Sequence, residues 1–401
     1  MNGKYFKNKL INFLDYRVAQ PLARGLVAQG HDLLKNIGIK RNGSQAPRAL
    51  IIYVSAAVPY YIAGDVLAYP HIQTHAMYWE AAEMVRVLVE SGYVVDFIDC
   101  FKPTPAIDWE KYSLVIDERN NLIQAPKTKG QVTAYYCTGL PWSFHNASEL
   151  KRIEAFHQRN HIWLDQRRFI YPNFSDKVAD YFFYFANPEW NELFSGNAQP
   201  QEITTTVTFV PESIPEMKNR REFMWIGSNG AIHKGLDLAV EAFRDLPGIR
   251  FHIFGSIEDD SLFFKWLKRE MELNTNIIFH GTAQFSDPAF LEIAHRCVGH
   301  IFPSCSEGGP GSVAQTSYFG MVPIVTRTAN ARSAALGHCI NSDDPTIIIQ
   351  EIRTHVKHLL DLSEQELKHK REQLIDFSRR FHSREAYANY FKAFVKRIQE
   401  E

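Results

Sequence analysis

The sequence contains few cysteines and no long apolar run. Its five cysteines are widely spaced and form no C-x-x-C pair, which fits neither a disulfide framework nor a structural zinc site. The uncharged runs at 49–64 and 308–326 are too short, or too rich in glycine and polar residues, for a membrane-spanning helix. Charged residues also interrupt the first turns, where a signal peptide would carry its apolar core. These absences predict a cytoplasmic, reducing location.

Motifs of several common enzyme classes are also missing. The sequence has no H-E-x-x-H, no G-x-S-x-G and no G-x-x-x-x-G-K-[ST], which argues against a zinc protease, a serine hydrolase and a P-loop enzyme. Its sixteen histidines show no metal-ligand spacing, so no metal and no cofactor are predicted. A formal net charge of -1 argues against a protein that coats nucleic acid.

What is present is the composition of a soluble globular protein. The hydrophobic share is 45% and the charged share 22%, both close to average usage. A chain of 401 residues is longer than one hydrophobic core usually supports, which predicts two domains. From residue 49 onward β-rich and helical runs alternate, as in parallel sheets covered by helices. The predicted fold is α/β, with two doubly wound Rossmann-like domains facing across a cleft.

The domain boundaries follow from this alternation. The N-terminal domain is predicted at 49–210 and ends in a strand at 203–210. The next eleven residues contain two prolines and five charged residues and suit a linker. They open the C-terminal domain, predicted at 211–380. A last helix at 381–401 is predicted to cross back to the N-terminal domain.

Residues 1–48 form a basic extension with a net charge of +7. Its apolar residues at 6, 10, 13, 14 and 18 recur at helical spacing beside the cations. This pattern is typical of an amphipathic helix on an anionic membrane surface, which predicts a peripheral position at the inner face of the membrane. A solvated arm that packs on the first domain explains the pattern equally well.

The segment from Ile301 to Gln315 carries the strongest functional signal. A buried strand runs into a glycine-rich turn, and a helix then opens near Gly311. Backbone amides in such a turn and the positive end of the helix form a phosphate site. Glu307, at the mouth of the turn, is predicted to accept hydrogen bonds from sugar hydroxyls, because a carboxylate repels phosphate. The predicted donor-binding residues of the turn are Gly308, Gly309, Gly311 and Ser312.

This segment resembles the E-x7-E region of retaining family 4 glycosyltransferases, which have the GT-B fold. The residues that match the family pattern are Pro303, Ser304, Glu307, Gly308, Ser312, Gly320, Pro323 and Ile324. In the family the first Glu contacts the donor sugar and the second contacts the ribose, which implies these roles for Glu307 and Gln315. Gln315 makes the motif an E-x7-Q variant that keeps the acceptor oxygen and loses the charge.

A second loop, at 227–235, resembles the family's G-R-L-x-x-x-K-G element, in which Arg and Lys hold the donor phosphates. Lys234 and Gly235 match this element, whereas Asn229 stands in place of the Arg. Backbone and side-chain donors of the loop are expected to replace the lost charge. The predicted donor-binding residues of this loop are Gly227, Ser228, Asn229, Gly230 and Lys234. The alternative for Lys234 is a solvated lysine at a helix start.

Three further residues are weaker candidates. Gly255 and Gly281 follow strands on the same side of the sheet, where their family counterparts line the nucleotide, yet each is equally a plain turn glycine. His145 follows a predicted strand of the N-terminal domain and is assigned a catalytic role beside Glu307, as a neutral imidazole that binds the donor sugar or accepts a proton. A surface histidine next to an N-capping Asn146 is the alternative.

Together these signals predict a glycosyltransferase that moves a sugar, with retention, from a nucleoside diphosphate sugar to an acceptor hydroxyl on a glycan, polysaccharide or lipid-linked molecule. Two other functions stay open. The missing Arg and the Gln at 315 would also suit a catalytically inactive subunit that binds a nucleotide sugar or acts as a scaffold. A nucleotide-sugar epimerase of the same fold is a third candidate.

Overall fold

The computed structural model describes residues 33–126, 128–185, 187–214, 220–258 and 261–401. In the described part of the first domain, short runs rich in β-branched and aromatic residues favour extended backbone. Such runs form most of its seven strands, which are β1 Leu33–Ile37, β2 Arg48–Tyr53, β3 Val94–Asp99, β4 Leu114–Asp117, β5 Val132–Tyr135, β6 Tyr181–Tyr184 and β7 Gln199–Glu202. The sheet order is β1-β3-β2-β4-β5-β6-β7, and β1 is antiparallel to β3 while the other pairs are parallel.

Four α-helices connect these strands in the described part of the domain. They are α1 Ile39–Asn42, α2 Val58–Ile62, α3 Ala76–Glu90 and α4 Trp142–Asn160. The long helix α3 begins at His75, whose Nδ1 accepts a hydrogen bond of 3.2 Å from the Met77 amide. Met84, Val85 and Leu88 are fully buried and pack α3 into the core of the first domain.

The second domain is wound the same way. Its described strands are β8 Glu222–Gly227, β9 Arg250–Gly255, β10 Ile277–Gly281, β11 Cys297–Phe302, β12 Val322–Thr326 and β13 His338–Ile340. They are all parallel, in the order β10-β9-β8-β11-β12-β13. The chain winds outward from β8 in one direction and from β11 in the other. The carboxyl ends of these two strands therefore open the crevice in which such sheets bind ligands.

Seven helices follow in the described part of this half. They are α5 Leu236–Arg244, α6 Leu262–Leu273, α7 Pro288–Ala294, α8 Gly311–Tyr318, α9 Pro345–Asp361, α10 Glu364–Phe381 and α11 Arg384–Glu400. Ser363 and Glu366 form a capping box at the start of α10, which satisfies backbone donors that the helix leaves unpaired. The second domain has its own hydrophobic core around fully buried Trp225, Phe243 and Phe251.

Two helices tie the domains together. Ile153 and Phe156 of α4 pack into the core of the second domain, and Arg159 of α4 forms a 2.6 Å ion pair with buried Asp237 of α5. In the opposite direction, Tyr387 and Phe391 of α11 are fully buried in the core of the first domain. The core of each domain is therefore completed by a helix from the other half of the chain.

The structure confirms the predicted α/β class with two doubly wound domains, but it differs from the sequence-based elements at two places. Residues 33–37, assigned to the basic extension, form β1 at the sheet edge, and Arg48 forms a 2.7 Å ion pair with buried Asp96. The strand expected at 203–210 is absent from these described residues, since the last strand of the first domain is β7, Gln199–Glu202. Residues 1–32, the larger part of the predicted amphipathic extension, lie outside the described residues.

Candidate functional site

The candidate site lies where the loops after β8 and β11 meet. Lys234 Nζ and Glu307 Oε1 are 2.6 Å apart, and their side chains are only 9% and 11% exposed. Ser304 Oγ donates to the same carboxylate oxygen at 3.2 Å. Gly235 allows the two loops to approach each other closely. It has φ 69°, and any Cβ there would collide with the Pro303 carbonyl. The two loops therefore lock into one ion-paired unit.

The charge of Glu307 is set by its neighbours. Burial alone would raise the pKa of this carboxyl, but the positive charges of Lys234 and Arg168 outweigh burial and hold the pKa at about 2. A buried carboxylate is tolerated because it is paired and hydrogen-bonded. Glu307 is thus an ionised acceptor at neutral pH, the state required to bind sugar hydroxyls.

Two stacked histidines lie beside this pair. The His145 and His233 rings are 4.3 Å apart, from centroid to centroid. His145 Nε2 donates to the Arg168 carbonyl at 2.8 Å and His233 Nε2 donates to the Ser306 carbonyl at 2.6 Å. Burial lowers the pKa of His145 to about 4 and that of His233 to about 3. Both imidazoles are neutral at pH 7, with Nδ1 as the acceptor nitrogen.

The glycine-rich turn leads into α8 with its amides uncapped. Pro310 is the N-cap of α8 and makes no side-chain capping bond, so the first helical amides are left to an external acceptor. Gly308 lies directly against the Thr138 carbonyl and Gly139 of the first domain, where a Cβ would collide. Gly309 contacts Phe185, and its carbonyl accepts from Thr205 Oγ1 at 3.0 Å. Glycine at these positions allows the two domains to touch beside the turn.

A cavity of about 370 Å³ opens between the domains above the pair. Its walls are residues 138–143 at the start of α4, residues 168–174 after α4, and residues 306–308 of the second domain. His145 and Glu307 both line it. Among the described residues, Ser306 Oγ is fully buried and has no hydrogen-bond partner. The cavity therefore combines an unpaired hydroxyl and an ionised carboxylate.

A smaller cavity of about 90 Å³ lies next to it, at the carboxyl ends of β8 and β9. Asn229 and Gly230 from the first loop line it together with Ser256 and Ile257 from the second. Phe263 of α6 gives it an apolar wall. The exposed side chains of Ser228 and Asn229 are thus positioned at the edge of the crevice.

The structure brings together some of the predicted site residues and separates others. Glu307, Lys234, His145 and Gly308 meet at the large cavity, whereas Gly311 and Ser312 form the first turn of α8. Gly227 and Gly255 have packing roles, because a Cβ at either would collide with the Trp225 ring. Gly281 is a turn glycine with φ 80° and open space around it.

Gln315 is placed differently from the ribose contact that the motif implies. Its Oε1 accepts from the Thr208 and Phe209 amides, both at 3.0 Å, and its Nε2 donates to the Phe209 carbonyl at 2.7 Å. The residue is 1% exposed. Its amide is thus used to hold the segment between the domains against α8. A neutral amide suits this contact because it pairs with both a backbone donor and a backbone acceptor.

Sequence reasoning missed three residues of this site, namely Arg168, His233 and Ser306. His233 and Ser306 flank the motif residues Lys234 and Glu307, so proximity to the motifs was a usable signal for them. Arg168 lies in an irregular segment after α4 and carries no motif. Only the fold brings it against Gly230, where a Cβ would collide with the Arg168 side chain.

Comparisons with known proteins support the architecture. No protein-family model and no curated protein sequence matches the chain. Among solved structures it is similar to sucrose-phosphate synthase from Thermosynechococcus elongatus, with a TM-score of 0.56 and 10% identity over 88% of this chain and 100% of that one. It is also similar to Anabaena HepE in complex with UDP-glucose, with a TM-score of 0.54 and 10% identity over 88% and 99%. The chain has the GT-B fold.

A third similar structure is the pneumococcal O-GlcNAc transferase GtfA in complex with UDP and GlcNAc, with a TM-score of 0.48 and 17% identity over 81% of this chain. This chain spans 60% of the length of GtfA. Within the described ranges, no helix combines the length and apolar character needed to cross a bilayer.

Proposed function

We propose that the protein is a glycosyltransferase that transfers a sugar from a nucleoside diphosphate sugar to an acceptor hydroxyl. The observation that carries the proposal is the buried Lys234–Glu307 pair beside the uncapped start of α8. One side of this unit offers cationic and amide donors for a diphosphate, and the other offers an ionised acceptor for sugar hydroxyls. The GT-B structures of HepE with UDP-glucose and of sucrose-phosphate synthase support this class of donor.

The reaction breaks the bond between the anomeric carbon and the diphosphate oxygen and forms a bond to the acceptor oxygen. Negative charge grows on the departing diphosphate, and Lys234 together with the amides at 308–312 would stabilise it, which is usually the largest catalytic contribution. The resemblance to retaining family 4 implies retention, with the acceptor proton passing to the departing diphosphate. His145 would position the donor sugar as a hydrogen-bond acceptor, since its low pKa makes it a weak base.

The large cavity suits a glycan as the acceptor. Trp142, Phe169, Tyr171 and Phe174 line it, and aromatic rings of this kind pack on sugar faces. Tyr171 is 82% exposed, so its ring is accessible to an extended acceptor. We further propose that residues 1–32 hold the enzyme at an anionic membrane surface, as their basic amphipathic sequence indicates.

One observation favours a second candidate, a donor-binding subunit without catalysis. The amide of Gln315 is engaged by the backbone of 208–209, and the loop after β8 has Asn229 in place of a phosphate-binding Arg. Such a protein would bind a nucleotide sugar but would not release its nucleoside diphosphate.

The test begins with calorimetry of UDP, GDP and ADP and their sugars, followed by turnover of the donor that binds. Glu307→Gln should reduce release of the nucleoside diphosphate by about 100-fold or more, by analogy with loss of one stabilising group in an active site. Glu292→Gln, at a surface carboxylate that is 75% exposed, is the matched control and should keep full activity. The absence of binding by every nucleotide would overturn the proposal, and binding without turnover would favour the inactive subunit.

A further inference from the structure

The segment that follows α4 is held firmly in the cleft. Buried Glu149 accepts hydrogen bonds from the Arg167 and Arg168 amides, at 3.2 and 3.0 Å. The Arg168 carbonyl accepts from His145 Nε2, and Asn146 makes two hydrogen bonds of 2.9 and 2.8 Å with the backbone of Ile170. Three side chains from one helix thus fix the backbone of 167–170, and two of them bond Arg168 itself, which sets the direction of its side chain.

That side chain reaches the loop after β8. Gly230 has φ 90°, and a Cβ there would overlap the methylene groups of Arg168. Arg168 also lines the large cavity together with Glu307 and Gly308. The glycine at 230 therefore makes room for a cation from the other domain, next to the position where Asn229 replaces the Arg of the resembling family.

The close ion pair of the site does not include Arg168. Lys234 Nζ and Glu307 Oε1 pair with each other, while the charge of Arg168 acts on Glu307 and on the carboxyl of Glu149 without a close ion pair. The neighbouring imidazoles of His145 and His233 are neutral, because burial lowers their pKa values to about 4 and 3. Within the ranges that the structure describes, the Arg168 guanidinium forms no ion pair, although Arg167 beside it pairs with Glu258 at 3.2 Å.

A second donor borders the same space. Ser306, whose buried Oγ has no partner among the described residues, lines the cavity, and so does Gly308 of the glycine-rich turn. A guanidinium and a hydroxyl that form no ion pair or hydrogen bond among the described residues therefore border one cavity, and donors of this kind fit a doubly charged phosphate group.

We propose that Arg168 binds the diphosphate of the donor directly and supplies, from the N-terminal domain, the cation that the loop after β8 lacks. This inference rests on the proposed function, since it names the group that the diphosphate of the donor contacts. It predicts that Arg168 contacts the phosphates of the donor and does not contact its nucleoside. It also explains why glycine occupies position 230.

The experiment measures the dissociation constant of UDP, GDP or ADP, whichever binds the full chain, and of the matching nucleoside. Arg168→Met removes the charge and keeps the aliphatic stem that packs on Gly230. It should weaken binding of the diphosphate by about 10- to 100-fold, the effect of losing a charge-assisted hydrogen bond. Arg168→Lys should recover part of the loss, because it restores the charge without the bidentate geometry. Binding of the nucleoside should not change.

The matched control is Arg269→Ala, at an exposed arginine of α6, which should bind like the unaltered chain. Thermal unfolding of each variant checks that the fold is intact. If Arg168→Met binds the diphosphate as tightly as the unaltered chain, or weakens the nucleoside equally, the Arg168 inference is wrong while the proposed function stands. If the unaltered chain binds no nucleotide, both fail.

Discussion

At the residue scale, the site depends on which groups are charged. Glu307 is ionised because Lys234 and Arg168 lie close to it, while His145 and His233 are kept neutral by burial. The histidines can therefore contact a diphosphate sugar without adding positive charge of their own. This arrangement also makes the fold sensitive to acid, because the unfolded chain protonates these histidines at their ordinary pKa.

His233 allows a test of that sensitivity. Its folded pKa is about 3, below the value of 6.5 for a free imidazole, so between these values the unfolded state binds one more proton and the free energy of unfolding falls as pH decreases. His233→Gln should reduce this pH dependence between pH 6 and pH 4 by about 1.4 kcal/mol per pH unit. Urea unfolding across this range measures it. An unchanged pH dependence would show that His233 is charged in the folded protein.

At the scale of elements, α8 differs along its length. Its first turn has no side-chain cap, whereas Gln315, one turn further on, binds the segment that links the domains. The Gln in place of the second motif Glu is thus explained by a contact inside the protein. A carboxylate at 315 would face the Phe209 carbonyl, to which Gln315 Nε2 now donates.

Gln315→Glu tests this explanation by introducing the residue of the family pattern. The change leaves the Phe209 carbonyl without its donor and buries a charge, so the free energy of unfolding should fall by about 1–3 kcal/mol. Denaturant unfolding gives this value, and calorimetry with the bound nucleotide gives the second readout. Unaltered stability with tighter nucleotide binding would instead identify position 315 as a ribose contact.

At the scale of the whole molecule, the two domains are connected by packed helices as well as by the linker between them. Helix α4 completes the core of the second domain and α11 that of the first. The segment 161–174 consequently runs through the cleft, held by the end of α4 and by the hydrogen bonds of residues 167–170 to that helix. This placement is what brings Arg168 to the loop after β8.

The N-terminal basic residues are tested at the same scale. Since β1 begins at Leu33, the correct truncation removes 1–32 and keeps the first sheet intact. Removal should weaken binding to vesicles that contain phosphatidylglycerol by at least about tenfold, because each basic residue near an anionic surface contributes about 1 kcal/mol. Vesicles of phosphatidylcholine alone are the control. Equal binding of both chains to the anionic vesicles would reject the membrane role.

Much of the fold was predictable because it is encoded locally. In α5 and α6, for example, apolar spacing and flanking polar residues mark both ends of the helix. β1 was assigned to the basic extension, since a short edge strand has too few residues to show a period. No strand forms at 203–210, because its threonines hydrogen-bond to α8, to the turn before α8 and to α10 instead of to a neighbouring strand.

The sequence by itself determined the two doubly wound domains and the Glu307 and Lys234 motifs, because strand, turn and helix signals are contiguous in the chain. Only the tertiary structure decided that these two residues pair, that the Gln315 amide bonds the segment between the domains, and that Arg168 faces the cleft. Each of these facts joins residues more than sixty positions apart. Such contacts depend on how domains pack, and no local pattern encodes them.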